Sequence, residues 1–285
     1  MTKILVLGVT GMIGHKVYQV FSEETPFHIL GLSRRPLDSE TIIKDLRDFN
    51  SLEKALKKIK PEYIINCSGL LIEHSEKSPI DAVKLNALLP LFLKELSSEL
   101  KFRIVQISTD CVFSGKGGPY KEYSETDATN IYGKTKAISE IKDDKNLTIR
   151  TSVIGPDLYE DGLELFHWFM NQSDEVSGFT KSFWSGVTTL ELARSIVWSI
   201  ENDITGLRNL TTNNPISKYQ LLTFINQITK MNLKIKKTDG PSHNKGLINT
   251  SNFFYEAEVA YEEIIKNMIQ DIVSRKSHYP HYKID

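Results

Sequence analysis

Tyr132 and Lys136 stand four residues apart in Tyr132-Gly133-Lys134-Thr135-Lys136, a spacing that on a helix sets phenol and ammonium one turn apart on one face. That pairing suits proton transfer. A free tyrosine, with a pKa of about 10, is a weak acid or base near neutrality, and an adjacent ammonium stabilises its phenolate and lowers that pKa. The spacing also recurs by chance, with an exposed ring and a solvated lysine as the plain alternative, so the neighbouring segments decide. A strand over 104–107 runs into Ser108-Thr109-Asp110-Cys111, at the C-terminal strand edge where open α/β sheets bind ligands. Thr109 can donate there to a carbonyl oxygen.

A second segment, Gly8-Val9-Thr10-Gly11-Met12-Ile13-Gly14, directly follows a strand and opens a helix near Met12. Glycines in such a turn let the backbone bend sharply, approach a pyrophosphate and pack helix on strand, while the helix N-terminus favours anionic oxygens. The pattern is GxxGxxG rather than the commoner GxGxxG; its place at the first strand of a βαβ chain marks it as dinucleotide-binding. The second strand ends at Leu32, and Ser33-Arg34-Arg35 follow where an NAD-preferring site usually carries an acid. Two guanidiniums suit a 2′-phosphate and an adenine face, so NADPH is the expected cofactor, with NADH left open and an ordinary basic loop as the alternative. Asp45-Leu46 falls where a carboxylate can meet the adenine amino group, with a plain surface aspartate as the alternative. Cys67, a core residue by type, and Ser68 and Gly69 end the strand 63–67 and join the expected cofactor contacts, with Lys136 on the nicotinamide ribose.

The elements that position these residues are short Ile-, Val- and Leu-rich runs at 4–8, 29–32, 63–67, 104–107 and 147–149. They read as buried parallel strands. Helical patterns at 52–59, 80–100 and 132–141 lie between them, giving an α/β fold of the Rossmann type with a doubly wound parallel sheet. Beyond about residue 150 the rhythm loosens around Gly155, Pro156, Gly178 and Gly186, with helical patterns at 190–200, 218–228 and 256–274. The expected division is a cofactor domain over 1–155 and a mainly substrate-binding lobe over 156–285, some of whose segments return to the first.

With 40% hydrophobic residues in 285, the chain can bury a full core. The 35 Lys and Arg balance 36 Asp and Glu, so no global charge draws it to nucleic acid or an anionic membrane. No nucleic acid polymer is an expected partner. The N-terminus enters a strand at once and no apolar run approaches the roughly 20 residues of a membrane span, so a soluble cytoplasmic protein is expected. Two cysteines, Cys67 and Cys111, build neither a disulfide framework nor a zinc site, and no metal is expected.

Taken in order, GVTGMIG, NCSG over 66–69, Asn86, ISTDCVFSG and YGKTK resemble the extended short-chain dehydrogenase/reductase superfamily over residues 3–155. The resemblance implies a catalytic triad of Thr109, Tyr132 and Lys136, with Asn86 anchoring a helix near the site. Within the superfamily, STDCVFSGKGGPYKEYSETD followed by YGKTK is most similar to the dTDP-4-dehydrorhamnose reductases, with Pro119, Tyr120 and Glu122 matching their PYxE element. Gly186 to Thr189 and Glu191-Leu192-Ala193 agree more loosely. This implies NAD(P)H-dependent reduction of a 4-keto group on a nucleotide-linked 4-keto-6-deoxy sugar, with Tyr132 protonating the alkoxide and Thr109 stabilising it. The chain departs at Arg150-Thr151-Ser152-Val153-Ile154-Gly155, which lacks the tryptophan of the family's RTSWVYG-like segment. Asp110, Cys111 and Trp184 are the substrate-side candidates. Trp168, Phe183 and Trp184 suit stacking on a base or sugar, with core packing the plainer role.

Cys111 occupies the position where sugar-nucleotide 4,6-dehydratases carry Glu, which argues against dehydration. GDP-fucose synthases have a cysteine at that offset and use it for epimerisation before reduction, so an epimerase-reductase with His167 as partner is one alternative, although His167 is not at that family's spacing and inert packing is the plainer role of Cys111. A regulatory subunit resembling the methionine adenosyltransferase beta subunit is another, since fold and motif can outlast activity. A homodimer is open. Gly133-Lys134-Thr135 echoes a phosphate loop but has Ala128 in place of its first glycine, and His278-Tyr279-Pro280-His281 reads as a solvated tail.

Overall fold

A computed structural model describes residues 1–212, 214–251 and 260–284. Strands β1 (Lys3–Leu7), β2 (His28–Ser33), β3 (Ile42–Ile43), β4 (Tyr63–Asn66), β5 (Arg103–Thr109) and β6 (Leu147–Thr151) join Gly206–Asn209 in a seven-stranded sheet. Its order is Gly206–Asn209, β6, β5, β4, β1, β2, β3, and every pairing is parallel. Side chains alternate faces along a strand, so Ile4 and Val6 pack on one face of the sheet and Leu5 and Leu7 on the other. The helices Met12–Glu24 and Thr189–Glu201 cover the first face; Phe49–Ile59 and Leu89–Leu100 cover the second. Covering both faces explains why these strands read as continuous apolar runs. Chain order reverses between β1 and β4, which makes a topological switch point beyond their C-terminal ends.

The second core lies in the C-terminal part, where Phe166, Phe169, Leu221, Ile225, Ile265 and Met268 pack among the helices Leu165–Met170, Lys218–Thr229 and Tyr261–Ser274. The helical pattern expected over 256–274 is seen from Tyr261; residues 256–259 lie outside the described residues. The expected helix 80–100 is not uniform: Pro79–Ala82 passes through a π-helical turn, Val83–Leu88, into Leu89–Leu100. Pro90 lacks an N–H and its ring crowds the carbonyl four residues back, a conflict that a wider turn relieves. The π turn carries Asn86, fully buried, whose Oδ1 accepts from Leu70 N at 2.8 Å and whose Nδ2 donates to Leu70 O at 3.0 Å. Its amide also reaches Thr135 Oγ1 at 3.3 Å, so one side chain ties the 70-loop to the helix Ile131–Ile138. Among the described residues no helix is long and apolar enough to cross a membrane.

Candidate active site

The dinucleotide turn sits at the switch point. Gly8 bends at φ +80°, and its amide donates to Leu32 O at 2.8 Å while Cys67 N donates to Leu7 O at 3.1 Å, so the ends of β1, β2 and β4 converge. A Cβ on Gly14 would lie 2.0 Å from Gly8 O, which is why the helix can close on the strand only with glycine there. The 13-residue helix Met12–Glu24 starts with Gly11 as N-cap and has no side-chain cap. Its first amides are therefore free to receive anionic oxygens. A cavity of about 370 Å³ opens before them, lined by Gly8, Thr10, Gly11, Met12, Arg34, Arg35, Asp45, Leu46, Cys67, Ser68 and Gly69. A dinucleotide fits this donor set: uncapped amides in the middle and guanidiniums at one end. The Asp45 carboxylate is already engaged by Arg47, whose Nη2 lies 2.6 Å from Oδ2, so an adenine amino group would share it.

Thr109, Tyr132 and Lys136 line a second cavity of about 390 Å³ that shares Met12, Cys67, Ser68 and Gly69 with the first; Ile13 lies on this side. Asn130 caps the helix Ile131–Ile138 by accepting from Gly133 N at 2.7 Å, and a Cβ on Gly133 would lie 2.2 Å from Cys111 O. Helix and β5 edge are thereby locked together. Thr109 Oγ1 donates to Asp110 Oδ1 at 3.2 Å and accepts from Cys111 N at 3.1 Å. Lys136 Nζ donates to Ile107 O at 2.6 Å. Burial pulls this ammonium down to about 8, with Glu140 opposing. Burial also pushes the Tyr132 phenol up, and the nearby Cys111 adds to that while hydrogen bonding to Thr109 opposes it. This is opposite to the depression expected from Lys136: the charges that act on the ring, those of Cys111, Asp110 and Glu164, push the same way as removal from water.

Asp110 and Cys111 line the Tyr132 cavity, and burial pushes the Cys111 thiol up to about 11. Its Sγ accepts from Lys245 Nζ at 3.6 Å, whereas His167 bonds Tyr282 Oη through Nδ1 at 2.9 Å. Trp184 lines neither cavity. It is 2% exposed in the second core, with its indole N–H donating to Ser152 Oγ at 2.8 Å, so it packs rather than facing a ligand. Sequence reasoning missed Glu164, which lines the Tyr132 cavity and is pushed up to about 7 by burial and by Asp157, with Lys218 opposing. It also missed His74, Asp157, Leu158, Tyr159, Asp161, Gly162 and Leu163, which border the nucleotide cavity and come from segments with no spacing signal. No group of three or more His, Cys, Asp or Glu suited to a metal occurs among the described residues.

Among curated proteins, the chain is 30% identical over 139 residues to methionine adenosyltransferase 2 subunit beta of Xenopus tropicalis, covering 48% of this chain and 41% of that protein. It is 28% identical over 155 residues to the dTDP-4-dehydrorhamnose reductase of Streptomyces griseus, covering 52% and 48%. The chain thus spans about half the length of the curated relatives it matches. The fold is that of a dTDP-4-dehydrorhamnose reductase from Clostridium acetobutylicum, with TM-score 0.81, 22% identity and coverage of 95% of this chain and 100% of that one. It is equally that of the Bacillus anthracis dTDP-4-dehydrorhamnose reductase in complex with NADP, with TM-score 0.81, 19% identity and coverage of 95% and 99%. A family model described as the RmlD substrate binding domain matches residues 1–239, well over half of the chain, and the chain belongs to that family.

Proposed function

We propose that this chain is a cytoplasmic reductase that uses NADPH to reduce the C4 ketone of a nucleotide-linked 4-keto-6-deoxy sugar. The observation that carries the reading is the meeting of Thr109, Tyr132 and Lys136 in one cavity that runs into the cavity of the glycine turn and Arg34 and Arg35. Family membership and the dTDP-4-dehydrorhamnose reductase relatives support the substrate class. In this reading residues 1–155 hold the cofactor and 156–285 mainly the sugar, while Thr189–Glu201 and Gly206–Asn209 return to the sheet. The partner is a small molecule, with no nucleic acid polymer; a homodimer is compatible with it.

When bound, the reduced nicotinamide supplies the hydride. The amides at the start of Met12–Glu24 would hold the pyrophosphate, Arg34 and Arg35 the 2′-phosphate, and Lys136 the nicotinamide ribose. Tyr132 Oη gives its proton to the developing alkoxide, and its raised pKa keeps the phenol protonated for that step. Thr109 Oγ1 turns its hydrogen bond from Asp110 to the same oxygen. Incubation with NADPH and a panel of nucleotide-linked 4-keto-6-deoxy sugars, following NADPH absorbance and product stereochemistry, tests the reading; no oxidation with any member overturns it. Since the beta-subunit relatives favour a regulatory role as the second reading, stoichiometric capture of a methionine adenosyltransferase with no such oxidation would support that instead.

Two quantitative expectations follow from the cofactor cleft. A charge-assisted hydrogen bond contributes about 1.5 to 3 kcal/mol, so kcat/KM should favour NADPH over NADH by about ten-fold or more at low salt. Arg34→Ala/Arg35→Ala should erase that preference, and a preference surviving the double substitution assigns the 2′-phosphate elsewhere. Lys136 titrates near 8 in the cofactor-free protein, and its charge is present below that value and lost above it. The NADPH Kd, read by fluorescence titration, should therefore be flat up to about pH 8 and rise above it. Lys136→Met should bind more weakly with no such rise; a flat wild-type curve contradicts the ribose assignment.

A further inference from the structure

The tail read from sequence as solvated, 278–281, leaves His278 and Pro280 exposed but turns Tyr279 inward to 1% exposure, and Tyr282 just beyond it is 3% exposed. Each phenol has a bond that reaches toward the cleft. His15 Nδ1 lies 2.9 Å from Gly11 O, an acceptor, so that nitrogen carries the proton and Nε2, 2.8 Å from Tyr279 Oη, accepts from the phenol. Burial pulls His15 down to about 4, which keeps the ring neutral as this chain of bonds requires. Tyr282 Oη accepts from Asp157 N at 2.9 Å and pairs with His167 Nδ1 at 2.9 Å, and His281 Nε2 lies 3.2 Å from Asp157 O. Asp157 begins a strap, residues 157–164, whose members border both cavities. Its far end returns to the same residue, since Asp157 Oδ2 accepts from Glu164 N at 3.2 Å. Across the nucleotide cavity, the Arg35 guanidinium lies over the Tyr159 ring at 5.7 Å.

We propose that Tyr279 and Tyr282 make the C-terminal tail a clasp that holds the strap 157–164 over the cleft and sets the residence time of the bound dinucleotide. The proposal rests on the cleft being the NADPH site. Both tyrosines are positioning residues: Tyr282 fixes the backbone of Asp157, and Tyr279 fixes, through His15, the carbonyl of the glycine that opens the anion-binding helix. The helix that carries the tail is itself fastened to the cofactor helix by the buried Lys16–Asp271 ion pair and by Arg275, which pairs with Asp271 and Glu23. The strap forms one wall of the nucleotide cavity, and it cannot lift at Asp157 without breaking the bonds to Tyr282 and His281.

Stopped-flow displacement of NADPH from the full-length protein tests this, with Tyr282→Phe, Tyr279→Phe and Tyr261→Phe compared well below their melting temperatures. Tyr261 is the structural control, because its phenol is also buried in the second core but bonds Thr212, away from both cavities. Tyr282→Phe should raise the NADPH dissociation rate about ten-fold, since two hydrogen bonds are lost and each contributes a factor of a few. Tyr279→Phe should raise it less, and kcat at saturating NADPH should be unchanged or higher in both. Tyr261→Phe should lower the melting temperature and leave the dissociation rate at the wild-type value. Equal dissociation rates in wild type and Tyr282→Phe overturn the clasp, as does an equal rise in Tyr261→Phe. Wild-type protein that fails to bind NADPH overturns the assignment of the cleft instead, so the two failures are distinct.

Discussion

Tyr132→Phe is expected to lower turnover by about 100- to 10,000-fold while changing the NADPH Kd by no more than a few-fold, the range that a positioned proton donor commonly contributes. The ring keeps its place on the helix Ile131–Ile138, whose Asn130 cap and Gly133 contact do not involve the hydroxyl. What is lost is the proton. Burial holds the phenol above its ordinary value, so in the wild type it is protonated throughout the neutral range and has the form that reduction needs. An alkoxide without it must draw a proton from water or from Cys111, whose thiol is pushed up to about 11 and is oriented beside Lys245. Single-turnover measurement with saturating NADPH isolates the chemical step from product release. Near-wild-type turnover in Tyr132→Phe would remove the phenol from the mechanism, and a loss shared equally with cofactor binding would make it a binding residue.

The parts of this architecture that were legible in sequence are those coded by short-range pattern. The runs that became β1, β2, β4, β5 and β6 are apolar on both faces because helices cover both sides of the sheet, and the Tyr132/Lys136 spacing and the glycine turn are local geometry. The strand Gly206–Asn209 was invisible because an edge strand needs little burial, and only Asn209 of its four residues is buried. Trp184 illustrates the opposite limit: an indole suits a stacking platform as well as the core that is its plainer role, and its hydrogen bond to Ser152 and its burial come from residues far away in sequence. The strap 157–164 and the tail have no periodicity at all, and their roles come from contacts more than 100 residues apart, such as Asp157 with Tyr282. The fold and the meeting of Thr109, Tyr132 and Lys136 are thus written locally, whereas the surroundings of the cleft are written in long-range pairs that one sequence does not display.

Arg150 supplies the largest expected stability effect. Its guanidinium meets Glu140 in a fork, Nε to Oε1 at 2.8 Å and Nη2 to Oε2 at 2.7 Å, and both side chains have 0% exposure. Glu140 Oε1 also accepts from Ser108 Oγ at 2.9 Å, beside Thr109, and the guanidinium lies 4.9 Å from the Phe113 ring centre. Removing one member of a buried pair costs about 3 to 5 kcal/mol, toward the lower end here because Lys142 Nζ also lies 3.7 Å from Glu140 Oε2, whereas replacing both by apolar residues of similar size is often close to neutral. Arg150→Met should therefore destabilise by that amount in urea titration at constant m-value, and Arg150→Met/Glu140→Leu should be more stable than Arg150→Met alone. The double variant would still lose the Ser108 anchor and the charge that opposes the depression of Lys136. In it the rise of NADPH Kd should begin below about pH 8, since the Lys136 ammonium then loses its proton more readily. A single variant as stable as wild type would make the pair dispensable, and an unmoved pH limb in a folded double variant would disconnect Glu140 from Lys136.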